Sequence, residues 1–268
     1  IRYGVRRGRL AELHRETRRP GNRHRDEAVS PRARLRPDRS LENELLEAHE
    51  YVGGLDEVGR GALAGPVSVG LAIVGRCTDD AFPVDLADSK QLTARMRTDL
   101  VEPVRGWLLD HAVAHASPAE IDERGIVGAL RLAGRRALRQ VADRGHAPGI
   151  IILDGVADWL TAPQPDLLTT WGDGQPSQAW HEATAEPPTP PVRMEVKADA
   201  RCAVVAAASV LAKVERDSLM TDLTDPGYGW ASNKGYASPA HVAGLADLGA
   251  SDQHRRSWHL PGLDQHDG

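Results

Sequence analysis

Asp56 and Glu57 stand side by side at the end of an apolar segment that contains Val52 and Leu55, and Gly59-Arg60-Gly61 follows at once. Buried acids are costly unless a cation sits on them. Glycines around an arginine let backbone N–H groups and a guanidinium approach an anion closely. Acids suited to a metal and a loop suited to a phosphate, adjacent in the chain, point to phosphodiester chemistry. In isolation the same residues could be a strand, a turn and a surface ion pair, so the rest of the chain has to decide.

Two further acids fall at comparable places. Asp154 ends the run Ile150-Ile151-Ile152-Leu153, and Asp199 opens an alanine-rich segment. Four carboxylates brought together repel one another and raise their pKa values unless cations bind. Mg²⁺ or Mn²⁺, hard ions that prefer oxygen ligands, are the natural occupants. Two such ions about 4 Å apart can activate a water and stabilise the leaving oxygen of a phosphodiester. The two cysteines, Cys77 and Cys202, have no metal spacing, which disfavours zinc. No G-x-x-x-x-G-K-[ST] loop is present, which disfavours ATP chemistry, and no Ser-His-Asp order is compelling.

Strands are predicted over 51–58 and 67–75, joined by the glycine loop, with a further strand over 111–116. Thr93 reads as the N-cap of a helix with Met96, Leu100 and Trp107 or Leu108 on its apolar side. Ser117-Pro118-Ala119-Glu120 has capping-box spacing before a helix whose apolar stripe runs from Ile126 to Val141. The unbroken apolarity of 150–153 predicts a strand covered on both faces, with Asp154 at its carboxyl end, where open α/β sheets place ligands. Residues 156–192 are rich in proline and aperiodic, an expected insertion that Trp159, Trp171 and Trp180 could pack onto the body. A strand is predicted near 192–196. The helix opened by Asp199 is nearly all small over 206–209, so it can lie close to a sheet; Lys213 and Arg216 share one side of it. Tyr236 follows a glycine-rich, aromatic and basic stretch, and a last helix runs from Pro239 to about Leu248. The order of elements is that of an α/β domain.

The chain has 268 residues and 41% hydrophobic content, enough for a sizeable core. No apolar run approaches the roughly 18–20 residues of a membrane helix. Residues 1–39 carry 13 Arg against five acids, a local net charge of +8 within a chain of net charge −5. That stretch reads as a disordered Arg-rich tail, either a basic arm for nucleic acid or an upstream reading-frame extension. It has no apolar core of the kind secretory signals carry, and with two cysteines the expected location is cytoplasmic. Residues after Leu260 read as frayed, giving an expected organisation of tail 1–39, catalytic domain 40–258 with insertion 156–192, and a disordered end 259–268.

The blocks LDEVGRGALAGP, DSKQLT, SPAEID, ILDG, KADARCAVVAAASVLAKVERDSLM and NKGYASPAHVAGL…HRRSW, in this order across residues 52–258, resemble bacterial ribonuclease HII. The resemblance implies a ribonuclease H-like fold, with a mixed five-stranded sheet flanked by helices and a C-terminal helical extension. It implies two-metal hydrolysis of RNA in RNA/DNA hybrids and incision 5′ to ribonucleotides embedded in duplex DNA, leaving a 3′-hydroxyl and a 5′-phosphate. By that resemblance Asp56, Glu57, Asp154 and Asp199 are the metal-binding acids. Gly59, Arg60 and Gly61 read the 2′-hydroxyl and neighbouring backbone, Tyr236 stacks beside the junction sugar, and Ser89, Lys90 and Lys213 contact the backbone. The enzyme is expected to be monomeric and away from membranes. Asn233 and Gly125 depart from residues common in the family. A ribonuclease HIII-like enzyme, another nuclease of the superfamily and a non-catalytic hybrid-binding module are the alternatives; Arg60 favours type HII, and the four acids favour catalysis.

Overall fold

The computed structural model describes residues 36–162 and 188–263. Strand β1, Tyr51–Val58, pairs antiparallel with β2, Val67–Gly75, with Asp56 opposite Gly70 and Glu57 opposite Val69. On its other side β1 runs parallel to β4, Ile150–Asp154, with Leu55 beside Leu153. Strand β3, Asp110–Ala116, extends the antiparallel edge, and β5, Val192–Glu195, extends the parallel one. The sheet is mixed and five-stranded, in the order β3-β2-β1-β4-β5. Because β1 and β4 are parallel neighbours, Asp56 and Asp154 end up side by side at one edge of the sheet.

The helices, in chain order, are α1 (Ser40–Leu46), α2 (Ala94–Trp107), α3 (Pro118–Asp143), α4 (Ala198–Arg201), α5 (Ala203–Asp222), α6 (Trp230–Asn233) and α7 (Pro239–Leu248). Alternation along the strands sorts the core into two layers. Leu55, Val69, Leu71, Ile151 and Leu153 face Ile121, Leu130, Ala133 and Val141 of α3. Val52, Ala72, Val74 and Ile152 face Val204–Leu211 of α5, with α1 and α2 beyond. A third cluster, with Leu63, Met220, Tyr228, Trp230, Leu245 and Leu260, forms the C-terminal extension.

Helix α5 comes down onto the sheet at two glycines. A Cβ at Gly54 would stand 2.6 Å from the Val204 carbonyl carbon, and one at Gly70 would stand 2.3 Å from the Ala208 oxygen. Small side chains on the helix, and glycine at these two strand positions, give this approach, as the alanine run predicts. Helix α3 opens with the capping box: Ser117 accepts from the Glu120 N–H, and Glu120 accepts from the Ser117 N–H. It kinks at Gly125, whose φ of 68° suits glycine.

Several expectations need correcting. The helix opened by Asp199 is two helices. Cys202 between them is extended, because it bridges Asp38, and the N-terminus of α5 is capped by Glu42, whose Oε1 accepts from the Val204 N–H at 2.9 Å. The tail boundary at 39 falls too late: the Asp38 N–H donates to the Arg201 carbonyl, and Arg39 is buried over the Trp107 ring. At the other end, Leu260 is buried in the third cluster, so 259–268 is not wholly loose. In α2 the buried residues are Leu100 and Val104, whereas Met96 is exposed. Trp159 packs on α3 where Gly134 leaves room; Trp171 and Trp180 lie outside the described residues, as do most of the expected insertion and residues 1–35. No helix among the described residues is long and apolar enough to cross a membrane.

Candidate active site

Three of the four acids sit where strand ends and helix starts meet on the α5 face. Asp56 shares the face of Val52 and Gly54, and the Ser209 hydroxyl of α5 acts on it to lower its pKa. Asp154 ends β4 on the same face as Ile152, and its Oδ1 accepts from the Ala198 N–H at 2.7 Å, tying the strand to the start of α4. Asp199 follows in the first turn of α4, buried, with Lys90 Nζ 3.0 Å from its Oδ2. β1 does not end at Glu57, so alternation turns that side chain off the Asp56 face; Arg60 Nη1 bonds it at 3.3 Å.

The electrostatics are those of crowded acids. Burial pushes Asp56 up to about 7; the Ser209 bond opposes this, and the charges of Glu57, Asp154 and Asp199 add to it. Burial likewise raises Glu57 against the pull of Arg60, and raises Asp199 against the pull of Lys90, with Asp154 adding. Burial opposes the charge on Lys90, but Asp199 and the neighbouring acids hold its pKa above the ordinary value. Among the described residues no group of three or more His, Cys, Asp or Glu is drawn together tightly enough to grip a metal as it stands. The donor set itself, all carboxylate oxygen with no imidazole or thiolate, fits a hard divalent cation.

The glycine loop lies beside these acids. Gly59 has φ of 82°, and a Cβ there would meet Arg216 Nε at 2.0 Å. The Ala62 N–H closes a turn on the Gly59 carbonyl at 3.2 Å. Arg60 and Gly61 are exposed, and nothing stands within 4 Å of where a Gly61 Cβ would be. Gly235 binds the loop's far end, its carbonyl accepting from the Leu63 and Ala64 N–H groups. That puts the next residue, Tyr236, beside the loop, 38% exposed, with Arg216 5.6 Å from its ring centre. Asn233 braces this turn: its Oδ1 accepts from the Gly235 N–H, and its Nδ2 donates to the Tyr228 carbonyl.

The expected backbone contacts divide. Lys90 is exposed at the edge of the acids. Ser89 is buried, its hydroxyl 2.8 Å from that of Ser209, so it orients the serine that acts on Asp56. Lys213 Nζ is paired with Asp217 at 2.7 Å. No pattern in the sequence marks Arg216 and Arg255, which are fully buried under the glycine loop. The sequence also concealed a Ser68–His115–Glu215 chain, with Ser68 Oγ 2.7 Å from Nδ1 and Nε2 3.0 Å from Glu215. These are a hydrolase triad's residue types, but Ser68 is fully buried and no substrate can reach it. The chain laces β2, β3 and α5 together.

The family model described as Ribonuclease HII matches residues 53–260. A Ribonuclease HII of Streptomyces coelicolor is 43% identical over 211 residues, covering 78% of this chain and 77% of its own. One of Paracoccus denitrificans is 41% identical over 225 residues, covering 83% and 91%. Among solved structures, the ribonuclease H2 of Pyrococcus horikoshii aligns with a TM-score of 0.51 at 25% identity, covering 80% of this chain and 96% of that one.

Proposed function

The chain belongs to the ribonuclease HII family, and from that membership we propose that it cleaves the RNA strand of RNA/DNA hybrids and incises duplex DNA 5′ to an embedded ribonucleotide, leaving a 3′-hydroxyl and a 5′-phosphate. It is a type II ribonuclease H. The observation that carries the finer reading is adjacency: crowded acids at the parallel ends of β1 and β4 stand beside an exposed glycine loop and an exposed tyrosine.

Asp56, Asp154 and Asp199, with Glu57 at the edge, would hold two divalent ions, Mg²⁺ or Mn²⁺. When bound, such ions lower the pKa of water and stabilise charge on the phosphodiester oxygens. The chain's own residues do the rest. The Glu57 N–H holds the Asp56 carboxylate, the Ser89–Ser209 pair supports it from α5, and the Ala198 N–H fixes that of Asp154. Lys90 balances the acids' charge and is placed to meet a phosphate once Asp199 takes another partner. Gly59, Arg60 and Gly61 offer the 2′-hydroxyl backbone donors and a guanidinium, and that hydroxyl is what distinguishes RNA from DNA at one position. The Tyr236 ring offers a face to the sugar beside it. The test is Mg²⁺- or Mn²⁺-supported cutting of a duplex with one ribonucleotide: incision on its 5′ side is expected, and equal cutting of the all-DNA duplex would remove the proposal.

A further inference from the structure

We propose that Arg216 and Arg255 are positioning residues that shape the glycine loop into a reader of a single 2′-hydroxyl. This rests on the reading of the loop given above and extends it to two residues that touch no substrate.

Both guanidiniums are fully buried, and neither is in an ion pair among the described residues. A buried charge without a counter-charge is costly unless fixed dipoles surround it. Here backbone carbonyls do so. Arg255 Nη2 donates to the Gly59 carbonyl at 2.6 Å and Nη1 to the Arg60 carbonyl at 2.8 Å. Its Nε and Nη2 also reach the Gly65 carbonyl, at 3.3 and 3.2 Å, so one side chain clamps both ends of the loop. Arg216 donates from Nε to the Pro66 carbonyl at 2.8 Å and from Nη1 to the Lys234 carbonyl at 3.0 Å, joining the loop to the turn that carries Tyr236.

The consequence follows from the peptide group. In a trans peptide the carbonyl and the next residue's N–H point in opposite directions. Pulling the Gly59 and Arg60 carbonyls onto Arg255 therefore aims the Arg60 and Gly61 N–H groups away from it, toward the exposed side. Among the described residues neither N–H donates to any backbone or side-chain acceptor. Two adjacent free N–H groups facing one way form a small concavity for an oxygen. Lysine cannot replace arginine here, because the fork must reach several carbonyls at once.

The clamp is itself anchored. The Arg255 N–H donates to the Leu63 carbonyl, and the Gly65 N–H donates to the Gln253 carbonyl. Just beyond, Asp122 of α3 accepts from the Arg256 N–H at 2.9 Å, and from the Ser257 N–H at 3.0 Å and hydroxyl at 2.6 Å. The guanidinium of Arg255 lies 4.8 Å from the centre of the Trp258 ring. Burial lowers the pKa of both arginines, that of Arg255 to about 9.

The test measures binding of the full chain, with Mg²⁺ present and Asp154→Asn as the non-cutting background, to an all-DNA duplex and to the same duplex with one ribonucleotide. The readout is the ratio of the two Kd values. Arg255→Lys and Arg216→Lys are each expected to lower that preference roughly tenfold, through weaker binding of the ribonucleotide duplex only. Leu130→Ala, in the α3 core on the far side of the sheet, is the control for simple destabilisation and is expected to keep the preference. Should a lysine variant not fold, Asp122→Ala frees the Arg255 segment from outside and is expected to lower the preference about threefold. A preference unchanged in every folded arginine or Asp122 variant, or lost equally in Leu130→Ala, overturns the proposal. If the background protein prefers neither duplex, the function proposed for the loop falls first, and this inference with it.

Discussion

The acid edge and the floor of the glycine loop bury charge next to each other and handle it in opposite ways. At the edge, Asp56, Glu57 and Asp199 are held above their ordinary pKa range by burial, with neighbouring acids adding and Lys90 and Arg60 opposing. Beneath the loop, Arg216 and Arg255 are more deeply buried, yet carbonyls meet their donors. A buried charge surrounded by fixed dipoles belongs to the architecture. A buried charge surrounded by its own kind is poised for a ligand. The loop floor is complete in the free protein, and under the proposed function the acid edge is completed by cation and substrate.

Substitutions on the two sides should therefore differ in kind. The largest effect is expected at Asp154→Asn, with cleavage down by about 10³ or more and little change in Tm, measured by single-turnover cutting and thermal melting. Next is Arg216→Met, which leaves the Pro66 and Lys234 carbonyls without their donor. Its expected cost is on the order of 3 kcal/mol, read from denaturant unfolding; a cost near zero would break the comparison. Gly70→Ala drives a methyl into the Ala208 carbonyl and should cost about 1–3 kcal/mol by the same measurement.

The smallest effect is a pair of opposed pH slopes in metal-free buffer. Asp56 has a folded pKa of about 7 against an ordinary 3.8, so the folded state keeps its proton longer than the unfolded one. Its contribution to stability is present at low pH and declines as pH rises between those values. In the C-terminal extension, His241 and His254 face each other at 3.0 Å, and burial lowers both, His254 to about 4 from 6.5. There the unfolded state takes up protons first, so stability is lost as pH falls from 6.5 toward 4. Asp56→Asn should raise Tm at neutral pH and remove the falling slope. His254→Gln should flatten the rising one. Melting curves across this range that show the same slope in both variants would contradict the assignment.

The sheet and its acids were legible because their causes are local. Apolar segments joined by a glycine loop mark β1 and β2, the β-branched run marks β4, and Ser117 to Glu120 marks the start of α3. The small residues of α5 announced its approach to Gly54 and Gly70. What stayed hidden has tertiary causes. The break at Cys202 depends on Asp38 and Glu42, which lie far back in the chain. Lys213 and Arg216 look alike on one helix face, yet one pairs with Asp217 and the other is buried beneath a loop that lies distant in sequence. Arg255 sits in a basic stretch that reads as surface, and only the fold shows it clamping Gly59 to Gly65. Charge and periodicity locate a strand or a helix; they do not say which cation the interior will need.

The most direct measurement is strand cutting by the wild-type chain, with Mg²⁺ or Mn²⁺, on a DNA duplex carrying one ribonucleotide, beside the same duplex without it. The expected result is a single incision on the 5′ side of the ribonucleotide, a 3′-hydroxyl and a 5′-phosphate at the nick, an intact all-DNA control, and no product from Asp154→Asn. A folded wild-type chain that leaves the ribonucleotide duplex uncut, or an Asp154→Asn variant that cuts at the wild-type rate, would contradict it.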